Sequence, residues 1–424
     1  MLAGCIRKIA TGLAGVLALC TAASAGPYIL SEADTGKGIL EQDAGQPPHP
    51  ASVTKTMTTY LTFQAIREGR INKYTLLNIS PFAASTPPSK SGFPVGKQIT
   101  VDNALKLLMV KSANDMAVVL AEGVGGDYDR FIAEMNATAQ RLGMTGTRFK
   151  NPHGLPDEEQ VTTARDMAIL AQAIIKEYPE HEMLFRIPSL IVGKRMLRNF
   201  NRLIDRYPGA DGMKTGFICA SGFNLVASAH RGDKRLIAVV FGSMNATRRA
   251  EEAAMLFERG FQSGAGLEIL LGGSKPVVAV ANLQQDPVNL YDTMCGPNRK
   301  KRRAAAMSDS GDEHDDDDDT IVETPEDALR ALKRNRANLL VELPPSMKPI
   351  RVYLGPARDE RGRPIRIAAN GQEEVVAEEP KAKGNRNSAF APFPDGFGPQ
   401  DRPEKPLRLP RIAPMPMVRP ANAS

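Results

Sequence analysis

Across the first 261 residues the hydrophobic period is strand-like at both ends and helix-like between, and this order constrains the fold more than any other feature. Tyr28 to Leu30 and Gly38 to Leu40 flank a polar turn containing Asp34 and Gly36, which predicts a β-hairpin. Val53, Met57, Leu61 and Ala65 then recur every fourth residue between Pro50 and Gly69, predicting a largely buried helix that starts at Ser52. Further helices are expected after a Thr100 cap through Leu105, Leu108 and Met109, from Asp115 to Val124, and through Phe131, Met135 and Leu142 to Gly143. Beyond Pro188 the period shortens. Leu190 to Val192, Asn224 to Ala227 and Leu236 to Phe241 read as strands, and Thr247 to Phe261 as a closing helix. The economical architecture is an α/β one: a single antiparallel sheet built from both ends, flanked by helices, with a helical lobe inserted between its halves.

After about Gly266 the composition loosens. A basic run from Arg299 to Arg303 precedes an acidic run from Asp312 to Asp319, the pattern of a solvated linker. A short helix capped by Thr324 and Pro325, with strands near Ile350 to Leu354 and Ile365 to Ala368, predicts a small appended module. From Ala389 the chain is proline-rich and expected to be extended and disordered. The expected divisions are a signal segment 1–25, a catalytic domain 26–265, a linker 266–323, an appended module 324–370 and a disordered tail 371–424.

Arg7 and Lys8, an apolar run from Ile9 to Leu19 and the small residues Ala23-Ser24-Ala25 have the anatomy of a secretory signal peptide, so export to the periplasm or cell envelope is expected. Removing it leaves 52 basic residues against 48 acidic ones, too mild an excess to argue for nucleic acid. No later segment is long and apolar enough to span a bilayer, and membrane association is unsupported. Cys5 and Cys20 leave with the signal. Cys219 and Cys295 remain in an oxidising compartment, either as two thiols or as one disulfide that would pin the chain after the core near residues 214–219. No Cys-x-x-Cys pair or His-Glu-x-x-His motif offers a metal site, and no cofactor is implied.

Chemistry is concentrated in three short motifs. Ser52 and Lys55 form the only Ser-x-x-Lys, whose spacing puts a hydroxyl and an amine on one helical face. Lys55 can act as a base only if burial or a neighbouring cation lowers its pKa from about 10.4. Ser112-Ala113-Asn114 falls in a break between helices, where a hydroxyl and an amide can enter a cleft. Ser243-Met244-Asn245 repeats that pattern, but it follows the third motif in the chain. That third motif, Lys214-Thr215-Gly216, supplies a cation and a hydroxyl for a carboxylate, and a glycine that lets a strand approach a peptide closely. There is no Gly-x-Ser-x-Gly elbow for a Ser-His-Asp hydrolase, and His153, in Asn-Pro-His-Gly, is expected to serve a turn.

Ser-Val-Thr-Lys, Ser-Ala-Asn and Lys-Thr-Gly in this order resemble the three motifs of the active-site-serine penicillin-recognising enzymes. With Pro50-Ala51, Asn151 to Leu155 and Asp211 to Phe217, the stretch from about Tyr28 to Phe261 is similar to the low-molecular-weight D-alanyl-D-alanine carboxypeptidases, peptidase family S11. The resemblance implies a β-lactamase/DD-peptidase-like fold, a peptidoglycan stem peptide as substrate and β-lactams as inhibitors. It implies Ser52 as nucleophile, Lys55 as proton acceptor and Ser112 as relay to the leaving D-alanine. Asn114 would hold the substrate amide, Lys214, Thr215 and Gly216 the carboxylate end, and the amides of Ser52 and Phe217 the oxyanion. A DD-endopeptidase or transpeptidase would use the same residues. A β-lactamase would need a glutamate paired with an asparagine four residues later, and none lies between Asn114 and Lys214. Ile218 and Cys219 depart from the family's usual residues, and the tail resembles neither its β-rich second domain nor its membrane-binding helix. A non-catalytic wall-binding protein is the alternative of another class. Because every motif lies upstream of Phe261, the tail is expected to be dispensable for activity.

Overall fold

The computed structural model describes residues 26–262, 275–297, 299–301, 339–359, 363–367 and 373–375. The expected signal segment, the Thr324–Pro325 helix start, the acidic run and the proline-rich end lie outside these residues.

The two ends of the domain meet in one antiparallel sheet. β1 (Tyr28–Glu32) and β2 (Gly38–Gln42) form the expected hairpin, and β7 (Ala210–Ile218), β8 (Gly222–Arg231) and β9 (Lys234–Ser243) complete a five-stranded sheet in the order β2-β1-β9-β8-β7. Between β2 and β7 lie α1 (Lys55–Arg67), β3 (Leu76–Asn78), α2 (Pro81–Ser85), β4 (Gln98–Thr100), α3 (Val101–Lys106), α4 (Asn114–Gly125), α5 (Tyr128–Arg141), α6 (Ala164–Glu177), β5 (Ser189–Val192) and β6 (Arg195–Arg198). α7 (Ala246–Gln262) closes the domain.

Alternation along the central strands sorts the two faces. Val226, Ile237, Val239 and Phe241 join the core formed with Val53, Met57 and the inserted helices. Leu225, Ala227, Leu236, Ala238 and Val240 pack with Ala250, Ala253, Ala254 and Phe257 of α7. A one-residue slip would exchange these two sets, so burial on both sides pins the register.

The helix expected from Ser52 differs in detail. Ala51–Thr54 is a 3-10 turn, and the α-helix begins at Lys55. With three residues per turn, positions i and i+3 eclipse, so Ser52 and Lys55 align more closely than an α-helix would allow. Thr100 caps α3 through Asn103 N, but the run beyond it becomes a π-helical turn, Leu107–Lys111, ending at Ser112 in the left-handed region.

The folded core does not stop near Gly266. Residues 275–283 run beside the hairpin, where Gly38 N and Val277 N pair with Lys275 O and Gly36 O, and Leu283 N reaches Gly45 O. α8 (Tyr291–Met294) then sits at the tip of the β7–β8 hairpin, with Leu290 N donating to Ala220 O and Met294 buried. Cys219 and Cys295 are joined as a disulfide, Cα–Cα 5.6 Å, across 76 residues of chain. Closing a loop of that length removes unfolded-state entropy worth about 4 kcal/mol. Reduction or Cys295→Ser is therefore expected to lower the urea unfolding midpoint, and an unchanged midpoint would show that packing alone holds this loop.

The expected appended module is also revised. β10 (Ile350–Val352) adds in parallel to β5, giving a three-stranded sheet β10-β5-β6 within the main body. Val352 is buried there because an isolated strand of three residues has no core of its own. β11 (Ile365–Ile367) and β12 (Glu373–Val375) pair with each other. Among the described residues no helix is long and apolar enough to cross a membrane.

Candidate active site

Ser52 is half-buried in its 3-10 turn, next to Ala51, whose φ of 50° is a conformation that costs a non-glycine residue energy. The Asn151–Leu155 turn holds that conformation from outside. Gly154, at φ +84°, lies so close that a Cβ there would stand 1.7 Å from Ala51 O and 2.9 Å from Ser52 N. The turn is locked in its own right. Asn151 Oδ1 accepts from Gly154 N at 2.7 Å, Gln160 Oε1 accepts from Lys150 N and Asn151 N, and Thr58 donates to Pro152 O at 2.7 Å. Gly154→Ala is therefore expected to destabilise the fold by several kcal/mol, the order of a backbone clash in a packed core, and to slow any chemistry at Ser52. Thermal unfolding together with an activity assay checks both, and a wild-type midpoint would contradict this packing.

Lys55 is fully buried, and its ammonium position touches three oxygens: Ser52 Oγ at 3.0 Å, Asn114 Oδ1 at 2.7 Å and His153 O at 2.5 Å. Burial, and next the charge of Lys214, hold its pKa well below the ordinary lysine range, while Asp115 pulls the other way. A neutral amine fits the contacts: two hydrogens go to the amide and carbonyl oxygens, leaving a lone pair for the Ser52 hydroxyl. His153 has the turn role expected of it. Its ring Nδ1 accepts from Leu155 N, and burial followed by the Lys55 charge lowers its pKa to about 3, so it stays neutral.

The second motif is placed by buried polar contacts. Asn114 N donates to Ser89 O at 2.7 Å and its Nδ2 to Pro87 O at 2.9 Å, while the Asp115 carboxylate accepts from Ser91 N, Ser91 Oγ, Gly92 N and Met116 N. Ser112 is buried at φ 59°, two residues before the amide that meets Lys55. The competing copy has other duties: Ser243 Oγ donates to Glu252, and Asn245 Oδ1 accepts from Arg248 N at the start of α7.

β7 is an edge strand of the main sheet, and it carries the third motif past Ser52. A Cβ on Gly216 would lie 3.0 Å from Pro50 O and from Ser52 N, and 3.1 Å from Val53 N, so any side chain here would crowd the backbone around Ser52. Lys214 is 1% exposed rather than a solvated strand end. Burial, followed by the nearby Arg249, lowers its pKa to about 7, and its ammonium donates to Thr215 O at 3.0 Å. Thr215 is buried, whereas Phe217 is exposed and packs on Phe223 with ring centroids 4.4 Å apart.

Several contributors were not legible in the motifs. Asn224 Nδ2 donates to Ser221 Oγ at 2.9 Å and reaches His49 O and Pro50 O, just ahead of Ser52 in the chain. Arg249 is buried on α7, donates to Phe200 O and Asn224 O, and has its own pKa lowered to about 9 by burial and by Arg202. Lys214 and Arg249, two buried basic side chains that donate to backbone oxygens, form a positive site suited to an anion. Among the described residues no cluster of His, Cys, Asp or Glu could hold a metal ion.

The sequence profile of the family described as D-alanyl-D-alanine carboxypeptidase, peptidase S11, matches residues 16–245. D-alanyl-D-alanine carboxypeptidase DacC of Escherichia coli (strain K12) is 37% identical over 242 residues, covering 55% of this chain and 60% of that protein. DacF of Bacillus subtilis (strain 168) is 35% identical over 241 residues, covering 55% and 61%. The chain thus spans about 60% of the length of these relatives. Among solved structures, the carboxypeptidase DacD from Francisella tularensis superposes with a TM-score of 0.55 at 31% identity, over 56% of this chain and 70% of that one. Penicillin-binding protein D2 from Listeria monocytogenes, in its cefotaxime-bound form, gives 0.51 at 27% identity, over 56% and 97%.

Proposed function

The chain belongs to the D-alanyl-D-alanine carboxypeptidase family, peptidase S11, and we propose that it removes the terminal D-alanine from peptidoglycan stem peptides through an acyl-enzyme on Ser52. The observation that carries this reading is the 3.0 Å contact between Ser52 Oγ and a fully buried lysine amine. In the proposed reaction Ser52 Oγ attacks the penultimate D-alanine carbonyl as its proton passes to Lys55. The C–N bond then breaks, and the departing D-alanine takes a proton through the Ser112 hydroxyl. Water hydrolyses the ester and frees Ser52. The amides of Ser52 and Phe217 are the proposed oxyanion donors, a reading supported by the closeness of Gly216 to Ser52 N. Loss of one such donor typically raises the barrier by roughly 3 kcal/mol.

Asn114 is the proposed holder of the substrate amide, and Lys214 with Thr215 of the terminal carboxylate. Arg249 joins them, because it lowers the Lys214 pKa and so adds to the positive field that a carboxylate would answer. The signal-like first residues support export, and the wall polymer outside the cytoplasm is the proposed substrate. β-Lactams are the proposed inhibitors, in keeping with the cefotaxime-bound relative.

Labelled penicillin followed by a D-Ala-D-Ala pentapeptide tests the reading: a Ser52 adduct and free D-alanine are expected. A wall-binding module would give neither, and faster cleavage of cross-linked dimers than of the pentapeptide would favour an endopeptidase. The pH profile is a second check. Activity rises as Lys55 loses its proton, at a pH well below the ordinary lysine range, and falls as Lys214 loses its own, near 7 in the empty site. A bound carboxylate favours charged Lys214, so the falling limb of kcat should lie at higher pH than that of kcat/KM. A rate still climbing at pH 10 would show that Lys55 ionises like a surface lysine.

A further inference from the structure

Residues 339–355 lie beyond the stretch that the family profile matches, yet they grip both walls of the active-site cleft. At one end the strap holds the turn that leads into β7. Val341 N and Leu343 N donate to Arg206 O and Asp205 O at 3.0 and 2.9 Å, and Ser346 N donates to the Asp205 carboxylate. Leu339 and Leu340 pack against the core under α7, and Val341 is buried. That turn is tied to the third-motif strand by Asn201, whose Nδ2 donates to Gly212 O at 2.8 Å, two residues before Lys214.

At its other end the strap holds the wall that carries the second motif. β10 pairs with β5 through Ile350, Arg351 and Val352, Asn103 Nδ2 donates to Tyr353 O at 3.1 Å, and Gly355 N donates to Gln98 O at 2.7 Å. Asn103 is on α3, which runs directly into the π-helical turn ending at Ser112, and the β5–β6 hairpin packs against the same turn.

We propose that residues 339–355 are a positioning brace for the reaction, setting the separation between the Ser112–Asn114 wall and the Lys214–Phe217 strand from beyond the stretch that the family profile matches. The strap touches no reacting group. Its effect is geometric: an acyl transfer that needs a nucleophile, a proton relay and a carboxylate clamp together loses up to about a hundredfold for an ångström of misplacement. The proposal rests on the carboxypeptidase reading for its kinetic readout only.

The test uses the full chain with Val341→Asp and Val352→Asp, each of which puts a carboxylate into a buried apolar contact at one grip, and Val352→Ile as the conservative control. Penicillin acylation separates positioning from loss of folded protein, because it reports a rate and an end-point stoichiometry independently. A brace predicts that each aspartate variant still reaches one adduct per chain but about tenfold more slowly, with Val352→Ile near wild type. Wild-type rates, or a reduced stoichiometry reached at the wild-type rate, would overturn it. Hydrogen exchange gives a readout free of the activity: amides in 107–114 and 203–212 should exchange faster in both aspartate variants. Unchanged exchange there overturns the brace, whereas a wild-type chain that never forms an adduct overturns only the carboxypeptidase reading.

Discussion

Ser52→Ala is expected to form no covalent penicillin adduct and to release D-alanine at least about 10^4-fold more slowly than the wild type, the scale on which nucleophile removal disables a serine hydrolase. The fold should survive, since Ser52 is half-buried and the change removes a hydroxyl whose contact is with the Lys55 amine. Mass spectrometry of the protein after incubation with penicillin reads the first effect, and a D-alanine release assay the second. An adduct on another residue at the wild-type rate would remove Ser52 from the mechanism, and with it the three-motif reading.

Lys55→Met separates the base from the nucleophile. Methionine keeps the volume and the unbranched shape of the buried stem but carries no lone pair for the serine proton, so acylation should slow by about a thousandfold, within the usual range for general-base catalysis. The adduct, once formed, should still be on Ser52. Stability is a balance of opposing effects. Asn114 Oδ1 and His153 O each lose a donor, costing about 1–3 kcal/mol for a buried acceptor, while the desolvation of a buried amine disappears. The rate should therefore fall far more than the unfolding midpoint does. Acylation by this variant at the wild-type rate would show that another group takes the proton. Serine loss abolishes the adduct and lysine loss delays it, so the pair of variants distinguishes the two roles by outcome rather than by degree.

The legibility of the fold followed the range of the interactions that make it. The β1–β2 hairpin, the strands β8 and β9 and the helix α7 were readable because each depends on a period of two or 3.6 residues set by neighbours in the chain. The 3-10 turn at Ala51–Thr54 was not, because it is imposed by the packing of Gly154 and Gly216 on the backbone around Ser52. The same division runs through the site. Residue types at fixed spacing picked out Ser52, Lys55, Ser112, Asn114 and Lys214 to Gly216, and the family resemblance added Phe217. His153 O, the Pro87 and Ser89 carbonyls and Arg249 left no motif, because a backbone oxygen has no sequence identity and a lone arginine on a helix reads as solvated.

The tail marks the boundary most sharply. Its loosened composition and charge runs were visible, and so were the short apolar stretches near Ile350 and Ile365. Where those stretches dock was not, because a three-residue strand says nothing of which edge it will join, and two cysteines 76 residues apart say nothing of their distance in space. By itself, then, the order of residues marked the candidate reactive groups and the local elements that carry them, through chemistry and periodicity confined to a few neighbouring positions. Only the tertiary structure decided that the lysine is desolvated, that β7 runs alongside Ser52, and that the strap at 339–355 returns to the cleft, since burial and long-range pairing arise when distant segments exclude water from one another.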